Sequence, residues 1–222
     1  MKRKFLLMGL VLAGCGVMAW VEAILRPAYP IKSVLKWALF LGCITIWMAL
    51  ARNGTPCQFL RRPTRNALLP AIGLSAAAFF LILGGYALLS FRLDLSAITG
   101  NLGAKEGITA RTFPLAALYI SFGNSFLEEL FFRGFAFLTL RETGGRGLAY
   151  GFSALIFALY HICIMDGWFS GPLFFLLTAA LAAAGLLFNF LDRDGTLWPA
   201  WLVHMAANLA INTIGLHLFG LI

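Results

Sequence analysis

Residues 125–134 read SFLEELFFRG, from Ser125 to Gly134, and place two adjacent carboxylates and a guanidinium inside a run that otherwise has the composition of a membrane helix. An ionised side chain at the bilayer centre costs about 2.5–3.5 kcal/mol even on the scale drawn from insertion experiments. Glu128, Glu129 and Arg133 are therefore tolerable only if other helices shield this one from lipid and the charges line a polar cavity between them. That sets the expected fold class: all-α, a polytopic transmembrane bundle of about seven to eight spans, with residues 113–140 inside it.

Composition agrees with a bundle. Of 222 residues, 61% are hydrophobic and 12% charged, and the mean hydropathy is +0.87, far outside what a soluble domain tolerates. Apolar runs long enough to cross the hydrocarbon core fall at about 5–25, 34–51, 67–90, 113–140, 148–164, 171–191 and 197–216. The tail after Gly215 either extends the last helix or folds back as an eighth element. The Gly-rich stretch 91–112 is the longest segment outside the spans, so no soluble domain is expected. The chain divides at that stretch into N-terminal helices (1–112, about three spans) and a helical core (113–222).

A formal charge of +8 would suit a nucleic-acid binder if it were clustered, but the bases are spread over short loops, as topology determinants are. Lys2, Arg3 and Lys4, then Arg52, Arg61, Arg62 and Arg65, then Arg141 and Arg146 fall on one side. Arg26, Lys32, Arg92, Lys105, Arg111 and Asp166 fall on the other. The bias places the N-terminus in the cytoplasm, as for an integral protein of a bacterial inner membrane. The four cysteines, Cys15, Cys43, Cys57 and Cys163, have no CxxC pair and no metal-ligand spacing. The basic start and small residues before Cys15 imitate a lipoprotein signal peptide. Hydrophobicity continues through Gly16–Val21 instead of turning polar, so an uncleaved first helix is expected.

Intramembrane polar residues are functional hypotheses by default. Glu129 and Arg133 stand four apart on one helical face, the spacing of an ion pair, and Asn124 stands likewise to Glu128. Glu128 is about 100° further round the helix and is free to face another neighbour. The fifth span carries FALYH with His161, and the seventh HMAAN with His204 and Asn208. Singly, each reads as easily as helix-packing glue. At 1.5 Å per residue, Glu128, His161 and the pair His204 and Asn208 lie roughly 18, 20 and 10–17 Å from the cytoplasmic helix ends. A carboxylate, two imidazoles and an amide in one slab of membrane are parts for activating a water and stabilising an oxyanion.

These residues resemble a known family. EELFFRG is similar to the EExxxR motif, FALYH to FxxxH and HMAAN to HxxxN of the type II CAAX prenyl endopeptidase and bacteriocin-processing (CPBP, Abi) family of glutamate-type intramembrane proteases. The resemblance covers about residues 113–215. It implies an intramembrane endopeptidase in which Glu128 and His161 activate the water, His204 and Asn208 form the oxyanion hole, and Glu129 and Arg133 hold the site together with Asn124 in support. It implies no metal or other cofactor, and a protein or peptide substrate reached from the lipid bilayer rather than a nucleic acid.

Other readings compete. A zinc protease would take Glu128, His161 and His204 as ligands, but HExxH is absent and the three have no local ligand spacing. A rhomboid-type pairing of Ser153 with His204 leaves the Glu-Glu-Arg cluster without a role. A non-catalytic membrane partner, such as a bacteriocin-immunity or assembly factor, would not need three intact motifs. A proton-coupled transporter would use buried Glu and His as a relay, but no inverted repeat is visible.

Overall fold

The computed structural model describes residues 2–51, 56–92, 95–165 and 171–222. Arg52 and Asp166, counted above for orientation, lie outside them, as do the side chains of Arg92 and Cys57. Among the described residues there is no strand. The helices are α1 (Lys2–Trp20, widening into a π turn over Val21–Leu25), α2 (Tyr29–Ala51), α3 (Arg65–Leu89), α4 (Ser96–Glu106), α5 (residues 113–144), α6 (Arg146–Met165), α7 (Gly171–Leu191) and α8 (Trp198–Leu218). Seven correspond to the expected spans, and five are long and apolar enough to cross a membrane by composition alone. The two long helices that fail that test are α5 and α8, which carry most of the intramembrane polar residues.

Three expectations change. The stretch 91–112 contains a helix: α4 ends in a Schellman turn in which Gly107, at φ 66°, lets Ile108 N–H reach Leu102 O at 3.0 Å. Leu102 and Ile108 then pack with Phe113, Ala116 and Ala117. Secondly, α2 begins five residues before its apolar run and takes Lys32 into the helix, where it is buried against Glu22 and Glu106. Lys32 is thus not a loop charge. Thirdly, the tail extends α8 rather than making an eighth span. Gly215 lies in the helix because the Phe113 ring leaves no room: a Cβ there would sit 2.3 Å from its Cζ.

Helix α5 is the axis of the molecule. Every residue from Leu127 to Leu138 is buried, so its charges never meet lipid. Phe131 stacks on Phe40 of α2 at 3.8 Å between centroids, and one core cluster joins α1 and α2 to α5, α6, α7 and α8. Cys15 lies within α1 and is buried in that core. Helices α6 and α7 approach closely at Gly185, where a Cβ would lie 2.9 Å from Ala154 Cα, the small-residue contact typical of membrane interfaces.

Candidate active site

The local structure of α5 is unusual. Tyr119–Asn124 and Glu129–Thr139 are π-helical, a form that normally appears as short bulges and often at functional sites. Carbonyls on its α8-facing side receive side-chain donors from that helix. Trp201 Nε1 donates to Phe122 O at 3.3 Å, Asn208 Nδ2 to Ile120 O at 3.2 Å, and Asn212 Nδ2 to Ala117 O at 3.1 Å. This ladder fixes α8 against α5 and brings His204 level with the glutamates.

Glu128 is the meeting point of three other helices. Its Oε1 accepts from Lys36 Nζ of α2 at 2.5 Å and from Asn124 Nδ2 at 3.0 Å. Lys36 also donates to Asn124 Oδ1 at 2.7 Å, closing a triangle. Its ammonium lies 5.0 Å from the Tyr160 ring centroid and 5.7 Å from that of Phe40. The other oxygen, Oε2, has no hydrogen-bond partner. It faces His161 Nε2 of α6 and His204 Nε2 of α8, each at 3.7 Å.

Both imidazoles are oriented from behind. His161 Nδ1 is 2.7 Å from Phe157 O; a carbonyl only accepts, so Nδ1 is the donor and Nε2 is turned to the glutamate. His204 Nδ1 donates to Glu129 Oε1 at 2.7 Å, and the ring stacks on Phe188 at 5.5 Å. Glu129 also faces Arg133, with Nε 3.2 Å from its Oε2, although that contact lacks hydrogen-bond alignment and the guanidinium nitrogens have no partner. Instead the guanidinium lies 4.1 Å from the Phe157 ring centroid and 4.8 Å from that of Phe188, which stabilises a desolvated cation.

Glu128, Glu129, Asn124, Arg133, His161 and His204 therefore form one continuous cluster. Asn208 is a turn away from His204, with one amide N–H spent on Ile120 O. Ser153 donates to Phe132 O at 2.8 Å, which makes it packing glue between α5 and α6. Sequence reasoning missed Lys36. The signal was present, since an ionisable residue inside a span calls for a partner whatever its sign, but a lysine near a helix end also reads as one that snorkels to the interface. Two further polar residues also went unnoticed: Asn189, which donates to Tyr150 O, and Asp192, whose Oδ1 accepts from Ala200 N–H. Lys36 of α2 and Arg133 of α5 stand as counter-ions to Glu128 and Glu129.

Residues 110–210 match the family model described as Type II CAAX prenyl endopeptidase Rce1-like. The match spans just under half of the chain, covers the three motifs and bears out the resemblance drawn from them. No curated protein and no solved structure gives a match. A membrane-embedded peptidase is the activity that the matched family supports.

Proposed function

We propose that this chain is an intramembrane endopeptidase that hydrolyses a peptide bond with a water activated by Glu128 and His161. One observation carries the reading: Glu128 Oε2, otherwise unbonded, faces two imidazole Nε2 atoms at 3.7 Å each. These separations are too long for direct hydrogen bonds and suit a water shared among the three groups.

Glu128 Oε2 takes a proton from that water while His161 Nε2 holds it, and the hydroxyl oxygen bonds to the scissile carbonyl carbon. The carbonyl π electrons move to oxygen. His204 donates to the resulting oxyanion from Nε2 when its ring carries a second proton, a charge that Glu129 balances at Nδ1. The remaining N–H of Asn208 is the second donor, its carboxamide already steadied by Ile120 O. Collapse restores the C=O bond, the C–N bond breaks, and the proton held by Glu128 passes to the departing nitrogen. Products are a carboxylic acid and an amine, which settle as carboxylate and ammonium once the acid's proton passes to the amine. The substrate is a protein or peptide presented from the bilayer, and the loop arginines and Lys2, Arg3 and Lys4 support a cytoplasmic N-terminus in a bacterial inner membrane.

The test is cleavage by purified, reconstituted protein of two quenched fluorogenic peptides, one farnesylated at a C-terminal CAAX cysteine and one unlipidated with a transmembrane segment. Glu128→Gln should lose at least about 100-fold in turnover while remaining inserted and folded, though melting lower than the wild type because Lys36 loses its counter-ion, and a strong chelator should leave wild-type activity intact. Near-normal turnover by Glu128→Gln sinks the reading. Silencing by the chelator with recovery on added zinc would replace it with a metal mechanism.

A further inference from the structure

We propose that Lys36 is a positioning residue of this site, one that aims the Glu128 carboxylate. The inference rests on the reading of Glu128 as the water-activating group, and it assigns a role to a helix outside the matched residues 110–210.

Lys36 is 6% exposed, seven residues into α2. Burying an ammonium is costly unless it is paired and hydrogen-bonded, and here two of its three donors are committed, to Glu128 Oε1 and Asn124 Oδ1. Asn124 in turn donates to the same Glu128 oxygen. Two donors therefore hold Oε1, and a carboxylate held at one oxygen has its other oxygen placed by covalent geometry. That second oxygen, Oε2, is the one facing His161 and His204. The ammonium also lies over the Tyr160 and Phe40 rings. Tyr160 immediately precedes His161, so the residue bordering Lys36 and the imidazole facing Glu128 share one turn of α6.

Without the lysine, Asn124 alone would hold Oε1, and the distance from Oε2 to the imidazoles would be less closely set. Misplacing a reacting group by about 1 Å costs about 100-fold in rate. A lysine that only packed α2 against its neighbours would affect stability but not the chemical step.

The experiment compares Lys36→Met, Lys36→Arg and Glu128→Gln, using whichever of the two fluorogenic peptides the wild type cleaves, alongside melting temperatures. Lys36→Met should lower kcat about 100-fold with KM unchanged within twofold, and Lys36→Arg should recover most of that loss. In the Glu128→Gln background, Lys36→Met should no longer lower the melting temperature as it does in the wild type, because the partner is gone. Wild-type or higher kcat in Lys36→Met overturns the proposal, as does a rise in KM alone, which would make Lys36 a substrate contact. An equal melting penalty in both backgrounds overturns it too. Activity of Glu128→Gln itself would overturn the underlying reading, an outcome distinct from any of these.

Discussion

Helix α2 carries two buried lysines one turn apart, and their surroundings differ. Lys32 binds Glu22 Oε2 at 2.5 Å and both oxygens of Glu106 at 2.8 Å, so α1, α2 and α4 are tied together. None of these side chains has a buried polar atom left without a partner. The cluster around Lys36 is different: Glu128 Oε2, Glu129 Oε2 and three nitrogens of Arg133 are all buried and unbonded. Native structures satisfy nearly all such groups, and each exception calls for an explanation. A closed network of this kind stiffens a fold. An open one retains unused polar capacity, which in the proposed reaction Glu128 Oε2 spends on a water. Each place holds a buried lysine against carboxylates; what separates them is completeness.

The contrast can be broken at the site first. Arg133→Met should cost about 3–5 kcal/mol in detergent unfolding, because Glu129 is left as a buried charge without its counter-ion. Glu128→Gln, whose amide oxygen can still accept from Lys36, should cost less. Wild-type stability of Arg133→Met would mean that Glu129 and Arg133 are not a structural pair.

Asn208→Ala comes next, with kcat expected to fall about 100-fold and KM little changed, the pattern of a donor that acts only in the transition state. Steady-state kinetics on the cleaved peptide decides it. A change in KM alone would assign Asn208 to substrate binding and leave only its hydrogen bond to Ile120 as a structural role.

The smallest effect belongs to the closed cluster. Lys32→Met should lower stability by about 1.5–3 kcal/mol, the worth of charge-assisted hydrogen bonds, and leave the kcat of the folded protein within twofold of wild type. A large loss of kcat at unchanged stability would show that the distinction between the two lysines is wrong.

Much of this molecule was legible before the structure. Seven helices follow from apolar runs of about 20 residues, and SFLEELFFRG requires the fourth of them to be central. The spacing of Glu129 and Arg133 anticipates their contact, and that of Asn124 and Glu128 anticipates their hydrogen bond. Helix α4 was hidden because its two glycines, Gly100 and Gly103, lower helix propensity, while its stability comes from the packing of Leu102 and Ile108. Lys36 was hidden because hydropathy averages over a window and an isolated lysine near a helix end looks like an interfacial anchor.

The sequence by itself determined which spans exist, which one is buried, and which side chains cannot face lipid, because hydrophobic periodicity and the cost of burying charge act within a single helix. Tertiary structure alone decided the pairings: that Glu128 meets Lys36, that His204 is shared between Glu128 and Glu129, and that Asn208 reaches the π-helical turn of α5. Those contacts depend on the rotation and depth of one helix against another. Both are set by close approaches such as Gly215 on Phe113 and Gly185 on Ala154, which hydropathy does not encode.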